Sequence, residues 1–174
     1  MIVNKACRYR LYPTTEQKMM FAKTFGCVRF IYNKMLSDRI DYYKETGQKL
    51  NNTPAQYKEE FPWLKEVDSL ALANAQMNLN KAYSHFWNDS KHFGKPRFKS
   101  KKNSRASYST NNQKGSVRIE GHKVKLPKVG WVKLCQHRPL PENSIIKTVT
   151  ISQTPSGKYY ISMLVEYENQ ILPV

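Results

Sequence analysis

The chain has 174 residues, 29 Lys and Arg against 13 Asp and Glu, and a formal net charge of +16. That length buries a hydrophobic core without disulfide staples, and that charge selects polyanionic partners, nucleic acid before anionic membrane or acidic protein. No apolar run approaches the roughly 20 residues of a spanning helix, and the charged start "MIVNKACRYRLYP" lacks the apolar segment of a secretory signal. Cys7, Cys27 and Cys135 are far apart and odd in number, which reads as buried thiols in a reducing cytoplasm. Without a C-x-x-C, a structural zinc site is not expected.

Residues 2–12, "IVNKACRYRLY", alternate in part, with Arg8 and Arg10 on one face and Cys7, Tyr9 and Leu11 on the other; this predicts a strand. Thr14 and Gln17 form a capping box after Pro13, so a helix is expected from about Thr15. Gly26 is expected to interrupt it, with a second helix from about Cys27 to Thr46 and Gly47 as its C-cap. Residues 48–68 read as a loop, with one helical turn at "PAQYKEEF". Asp68 or Ser69 then caps a helix whose Leu72, Ala75, Leu79, Ala82 and Phe86 recur at steps of 3 and 4.

Charge changes character near residue 90. Nine of the 13 acids lie in residues 1–90, whereas residues 91–140 hold fourteen Lys and Arg and a single acid, Glu120. Beyond residue 105 the period becomes two: "SVRIE", "HKVKLP" and "GWVKLC" alternate, and Ile146–Ile151 with Tyr159–Val165 reads as a hairpin around Pro-Ser-Gly. The order is one strand, three or four helices, a basic loop and five or six strands. An early strand separated from a later β region predicts an α+β chain, a β-barrel interrupted by a helical insertion.

The helices flanking Gly26 fit either a groove-reading helix-turn-helix or an ordinary αα-hairpin. Asp38, Asp41 and Glu45 share helical spacing but sit among Arg39 and Lys44, which reads as a solvated face rather than a Mg²⁺ site. His85, His92, His122 and His137 have no ligand spacing, and no catalytic constellation is visible. Alternation places Lys123 and Lys125 opposite Val124 and Leu126, so a basic sheet face beside the basic loop makes a nucleic-acid groove. The amide-rich "STNNQ" supplies groups able to grip base edges, or it is an Asn-rich turn.

Six stretches, "NKACRYRLYPTTEQ", "GCVRFIYNKML", "ALANAQMNLNKAYSHFW", "GKPRFK", "LPKVGWVKL" and "TVTISQTPSGKYYISMLVE", occur in the order seen in TnpB. The chain resembles that family, the OrfB-type proteins of insertion sequences related to the type V CRISPR effectors. The resemblance implies the part of an RNA-guided DNA endonuclease that precedes its RuvC-like domain. Residues 1–12 would be the first strand of a wedge-type, OB-like β-barrel. Residues 13–90 would be the helix-turn-helix-like recognition insertion, 91–105 a basic connecting loop and 106–174 the remainder of the barrel. The implied partners are a guide RNA scaffold and a short transposon-adjacent motif in duplex DNA, with base pairing reading the rest. Mg²⁺ and a zinc ribbon would belong to the nuclease half, so no cofactor and no nuclease site are expected in this chain.

By the same resemblance, Thr110 and Asn111 in the barrel, Ser69, Leu70 and Ala73 at the start of the second helical segment, and Asn52 would read the DNA motif. Small and apolar residues at several of these positions imply a different motif, with thymine methyls as candidate contacts. Phosphate and RNA contacts are expected from Arg8, Arg10, Arg29, Lys91, Lys95, Arg97, Lys99, Lys101, Lys102, Arg105, Lys128 and Lys133. The alternative is a stand-alone helix-turn-helix DNA-binding regulator, a nuclease-less member of the family. Either reading places the protein in the cytoplasm.

Overall fold

The computed structural model describes residues 1–102 and 105–169. Asn103 and Ser104 of the basic segment, and the tail 170–174 assigned above to the barrel, lie outside the described residues. The described chain forms β1 (Ile2–Tyr12), α1 (Thr15–Thr46), two short 3₁₀ turns (Pro54–Tyr57 and Pro62–Glu66), α2 (Ser69–Asn88), β2 (Ala106–Asn111), β3 (Arg118–Glu120), β4 (Lys123–Leu126), β5 (Gly130–Cys135), β6 (Ile145–Gln153) and β7 (Tyr159–Glu168). It divides into two compact units, one of residues 1–21 with 105–174, the other of residues 22–104.

The first unit is a seven-stranded antiparallel sheet in the order β2-β6-β7-β1-β5-β4-β3. It curls into a half-barrel of wedge-like OB type, so the α+β class read from the sequence holds. β1 is the pivot. It pairs with β7 along ten positions from Ile2↔Glu168 to Leu11↔Tyr159, but with β5 only at Arg10, Leu11 and Tyr12. Strict alternation then sorts the two faces. Tyr9, Leu11, Tyr108, Val124, Leu126, Val132, Leu134, Val149, Ile151, Ile161, Met163 and Val165 are all buried. Phe21 joins them, its ring 5.6 Å from Tyr159 and 6.3 Å from Tyr108.

The capping box forms as the sequence dictates: Gln17 N donates to Thr14 Oγ1 at 3.3 Å, and Thr14 N donates to Gln17 Oε1 at 3.0 Å. Gln17 Nε2 also donates to the Trp131 carbonyl at 2.7 Å, tying the first turn of α1 to β5.

The expected break at Gly26 is absent. α1 is one helix of 32 residues, and Gly26 is not among the glycines with positive φ. A mid-helix glycine costs only about 1 kcal/mol relative to alanine. Buried Phe21, Phe25 and Cys27, then Ile31, Met35 and Leu36, supply apolar anchoring on both sides that outweighs it. The helix stops where expected: Gly47 adopts φ +70, and its N–H donates to the Tyr43 carbonyl at 2.8 Å.

In the second unit, Asp68 caps α2 by accepting from Leu70 N at 3.0 Å. Leu72, Ala75 and Leu79 of the predicted stripe are buried, and Ala82 and Phe86 half-buried. Where three or four helices were expected there are two among the described residues, because α1 runs unbroken through Gly26 and 48–68 forms only the two 3₁₀ turns. Among the described residues, no helix is long and apolar enough to cross a membrane.

Candidate nucleic-acid interface

Opposite the buried face of the sheet lies a basic and aromatic one. Arg8 and Arg10 alternate with buried Tyr9 and Leu11, and Lys133 alternates with buried Val132 and Leu134. Lys123 and Lys125 flank buried Val124, as the alternation predicts. Lys123 stands directly across from Lys133, and Lys125 across from Trp131. Like charges facing each other across two strands destabilise a sheet by roughly 0.2–1 kcal/mol. No ion pair relieves Arg8, Arg10, Lys123, Lys125 or Lys133 among the described residues.

Aromatic rings organise these cations. The Arg8 guanidinium lies 4.1 Å over the Tyr160 ring, and that of Arg10 lies 5.1 Å from the Tyr12 ring centre. Together with Cys135 and His137 they line a shallow cavity of about 320 Å³. Arg10 Nε is buried there with no hydrogen-bond partner among the described residues. A buried donor without an acceptor is uncommon and costly, and an incoming oxyanion would supply one. Cys135 is exposed, correcting the expectation of three buried thiols; only Cys27 is buried, and burial raises its thiol pKa.

Next to this basic area the same sheet face is rich in hydroxyls. Ser109 and Thr150 oxygens lie 2.7 Å apart, and Asn111 Nδ2 is 3.5 Å from Thr148 Oγ1. Asn111 is half-buried on this face. Thr110 points the other way and is fully buried. The strand's period of two therefore allows only one of these neighbours to face a base, and the expectation for Thr110 is corrected. The "STNNQ" stretch belongs to β2 through Asn111 rather than to a turn; Asn112 and Gln113 begin the turn after it, where Asn112 Oδ1 accepts from Val117 N at 3.0 Å.

In the second unit, Asn52 is also corrected. It is buried, and its amide is fully engaged. Oδ1 accepts from Arg39 Nε at 2.7 Å, while Nδ2 donates to Tyr57 Oη at 2.7 Å and to the Met35 carbonyl at 3.2 Å. Tyr57 in turn donates to Asp38 at 2.7 Å. Burial, then the bond to Asp38, pushes the Tyr57 hydroxyl up to about 12. Asn52 is thus a brace between α1 and the first 3₁₀ turn. Asp38 belongs to that brace and to a 3.2 Å pair with Lys34, rather than to a free acidic face with Asp41 and Glu45. Ser69 is exposed, and Leu70 and Ala73 are half-buried, at the open N-terminal end of α2.

Of the remaining cations, Lys91, Lys95, Arg97, Lys99, Lys101, Lys102, Arg105 and Lys128 are exposed and Arg29 is half-buried. Lys128 occupies the β4–β5 turn with φ 66. The basic segment has an anchor that sequence reasoning missed. The Asn33 side chain accepts from Lys99 N and donates to Lys99 O, both at 2.7 Å, as a neighbouring strand would. The Lys99 ammonium lies 4.3 Å over the Tyr32 ring. A mid-helix Asn is the only sequence signal for this clamp.

The fold and this face define an α+β protein with an exposed basic and aromatic sheet surface. A family model described as a helix-turn-helix domain, of the OrfB group of IS605-type elements, matches residues 1–48; here that stretch is β1 followed by the continuous α1. The chain is 33% identical over 171 residues to a putative RNA-guided DNA endonuclease of Streptomyces pristinaespiralis, covering 94% of this chain and 42% of that protein. It is 28% identical over 171 residues to the putative RNA-guided DNA endonuclease InsQ of Escherichia coli K12, covering 94% and 41%. It is 33% identical over 113 residues to the virulence protein VsdF of Salmonella dublin, covering 56% of this chain and 93% of that protein. The chain belongs to the TnpB (OrfB) family. It spans about two fifths of the length of the two endonuclease relatives.

Proposed function

We propose that this chain is the nucleic-acid-binding part of a TnpB-like transposon protein, engaging a guide RNA scaffold and a short transposon-adjacent motif in duplex DNA in the cytoplasm. The observation that carries this reading is the sheet face of Arg8, Arg10, Lys123, Lys125 and Lys133, cations of which none forms an ion pair among the described residues and only Lys123 has a carboxylate, Glu120, across from it. A fold that tolerates that repulsion is compensated by a bound polyanion. Tyr12, Tyr160 and Trp131 on the same face offer rings for unpaired bases.

In this reading phosphates are held by the sheet-face cations and by Lys91, Lys95, Arg97, Lys101, Lys102 and Arg105. Bases are read by Asn111, Ser69, Leu70 and Ala73. No catalytic step is assigned to residues of this chain. Among the described residues, no three His, Cys, Asp or Glu side chains converge as a metal site; the Mg²⁺ and zinc chemistry implied by the resemblance is proposed for the nuclease half of the family. The stand-alone regulator reading is the alternative: α1 has no turn at Gly26, so its support is the helix-turn-helix family match at residues 1–48.

Sequencing the RNA that co-purifies with the chain tests the proposal. One structured RNA should be strongly enriched, and selection from a duplex library with that RNA bound should return a short motif. RNA indistinguishable from total cellular RNA would overturn the scaffold assignment.

A further inference from the structure

The helical unit carries a second surface that the sheet-face reading does not use. A groove of about 900 Å³ lies between α1, α2 and the segments at 49–51 and 95–96. Its walls include Tyr43, Tyr83, Phe86 and Trp87, which bring four rings to one cleft, and its cations are Arg39, Lys44, Lys49 and Lys95. No Asp or Glu lines it among the described residues. Tyr43 is 60% and Trp87 51% exposed, a large apolar surface to leave in water.

The rings are already arranged for stacking. Tyr83 and Trp87, one helical turn apart, have centroids 5.1 Å apart at an angle of 31°. The Lys49 ammonium sits 3.6 Å over the Trp87 ring, a cation–π contact that covers an indole face a base would use. Arg39 forms part of the floor, fixed by Asn52 at 2.7 Å and Asn80 at 2.8 Å. It is therefore a permanent charge under the groove, while Lys44, Lys49 and Lys95 are exposed along its edge.

We infer that this groove binds single-stranded DNA, with bases stacked on Trp87 and Tyr43 and phosphates on Lys44, Lys49 and Lys95. Charge decides against a proline-rich peptide, the other usual occupant of an aromatic groove. Ile40, Leu50 and Phe86 offer carbon to deoxyribose and thymine methyl groups beside the polar Asn51 and Asn80, and the comparison of oligothymidylate with oligouridylate tests that choice. On binding, a base replaces the Lys49 ammonium on the indole, and the ammonium moves to the adjacent phosphate.

Trp87 reports directly on occupancy. In a Trp63→Phe/Trp131→Phe variant of the whole chain it is the sole tryptophan, and an oligothymidylate of about eight nucleotides should quench its fluorescence saturably, with an affinity that falls as salt rises. Anisotropy gives a second measurement: Trp87→Leu and Lys49→Ala should each weaken binding of the oligothymidylate about tenfold. Binding by anisotropy without any quench of Trp87 would place the strand on another surface and overturn the inference while leaving the proposed function standing. Unaltered Trp87 emission with oligothymidylate, tighter binding of oligouridylate, or equal quenching by a proline-rich peptide would each overturn it.

Discussion

Replacing Gly26 with alanine separates a continuous helix from a helix-turn-helix at the level of the backbone. In this structure a Cβ added at Gly26 has no heavy atom within 4 Å, and the residue lies inside α1 without positive φ. The substitution therefore introduces no clash and no strain. It removes the extra freedom that glycine has in the unfolded chain and raises helix propensity, so Gly26→Ala should stabilise the protein by about 0.5–1 kcal/mol. Urea unfolding followed by far-UV circular dichroism reads this as a higher midpoint at unchanged slope. A turn at Gly26 with a left-handed backbone would give the opposite sign, a loss of about 1–2 kcal/mol from Cβ crowding. A lowered midpoint would refute the continuous helix and restore the hairpin.

Asn52→Ala should cost about 3 kcal/mol of stability, since it removes three hydrogen bonds, one to a guanidinium, and strands Arg39 Nε. It should leave DNA sequence preference unchanged, and an altered motif at full stability would return Asn52 to the reading set. Lys133→Thr should raise stability by a few tenths of a kcal/mol by removing the repulsion with Lys123, yet weaken nucleic-acid binding; thermal melts and binding isotherms of the same sample check both signs. Tyr57 makes stability alkali-sensitive. Its folded pKa, about 12, lies above the ordinary value near 10. The folded state thus holds the proton longer, and the contribution is complete below about pH 10 and lost as pH rises through 12. Between pH 10 and 11 the urea midpoint should fall more steeply for the unmodified protein than for Tyr57→Phe; parallel slopes would contradict the buried Tyr57–Asp38 bond.

The elements that sequence periodicity disclosed are those in which one face is decided locally. β1, the α2 stripe and the β6–β7 hairpin each carry an alternation or a 3–4 spacing that burial simply follows. Gly26 misled because glycine marks a turn only when nothing favours the helix more, and the flanking apolar residues do. The site was legible in its charge and less so in its chemistry. Which residues are cationic is written in the sequence, and alternation placed Lys123 and Lys125 correctly. Whether a polar side chain meets solvent is decided by tertiary neighbours. Thr110 lost its outward face to the β-strand period, and Asn52 was consumed by Arg39, Met35 and Tyr57, none of which local pattern reveals. The Asn33–Lys99 clamp spans 66 positions and has no local signature beyond the asparagine itself.

The central claim is that the cationic sheet face holds phosphates. The slope of log K against log salt measures this directly, because each lost phosphate contact changes it by about 0.9 on duplex and about 0.7 on a single strand. For Arg8→Ala/Arg10→Ala/Lys123→Ala/Lys133→Ala against the unmodified chain, the slope should become shallower by about 3 units while the fold is retained by circular dichroism. An unchanged slope in the folded variant would contradict the account and move the interface off the sheet.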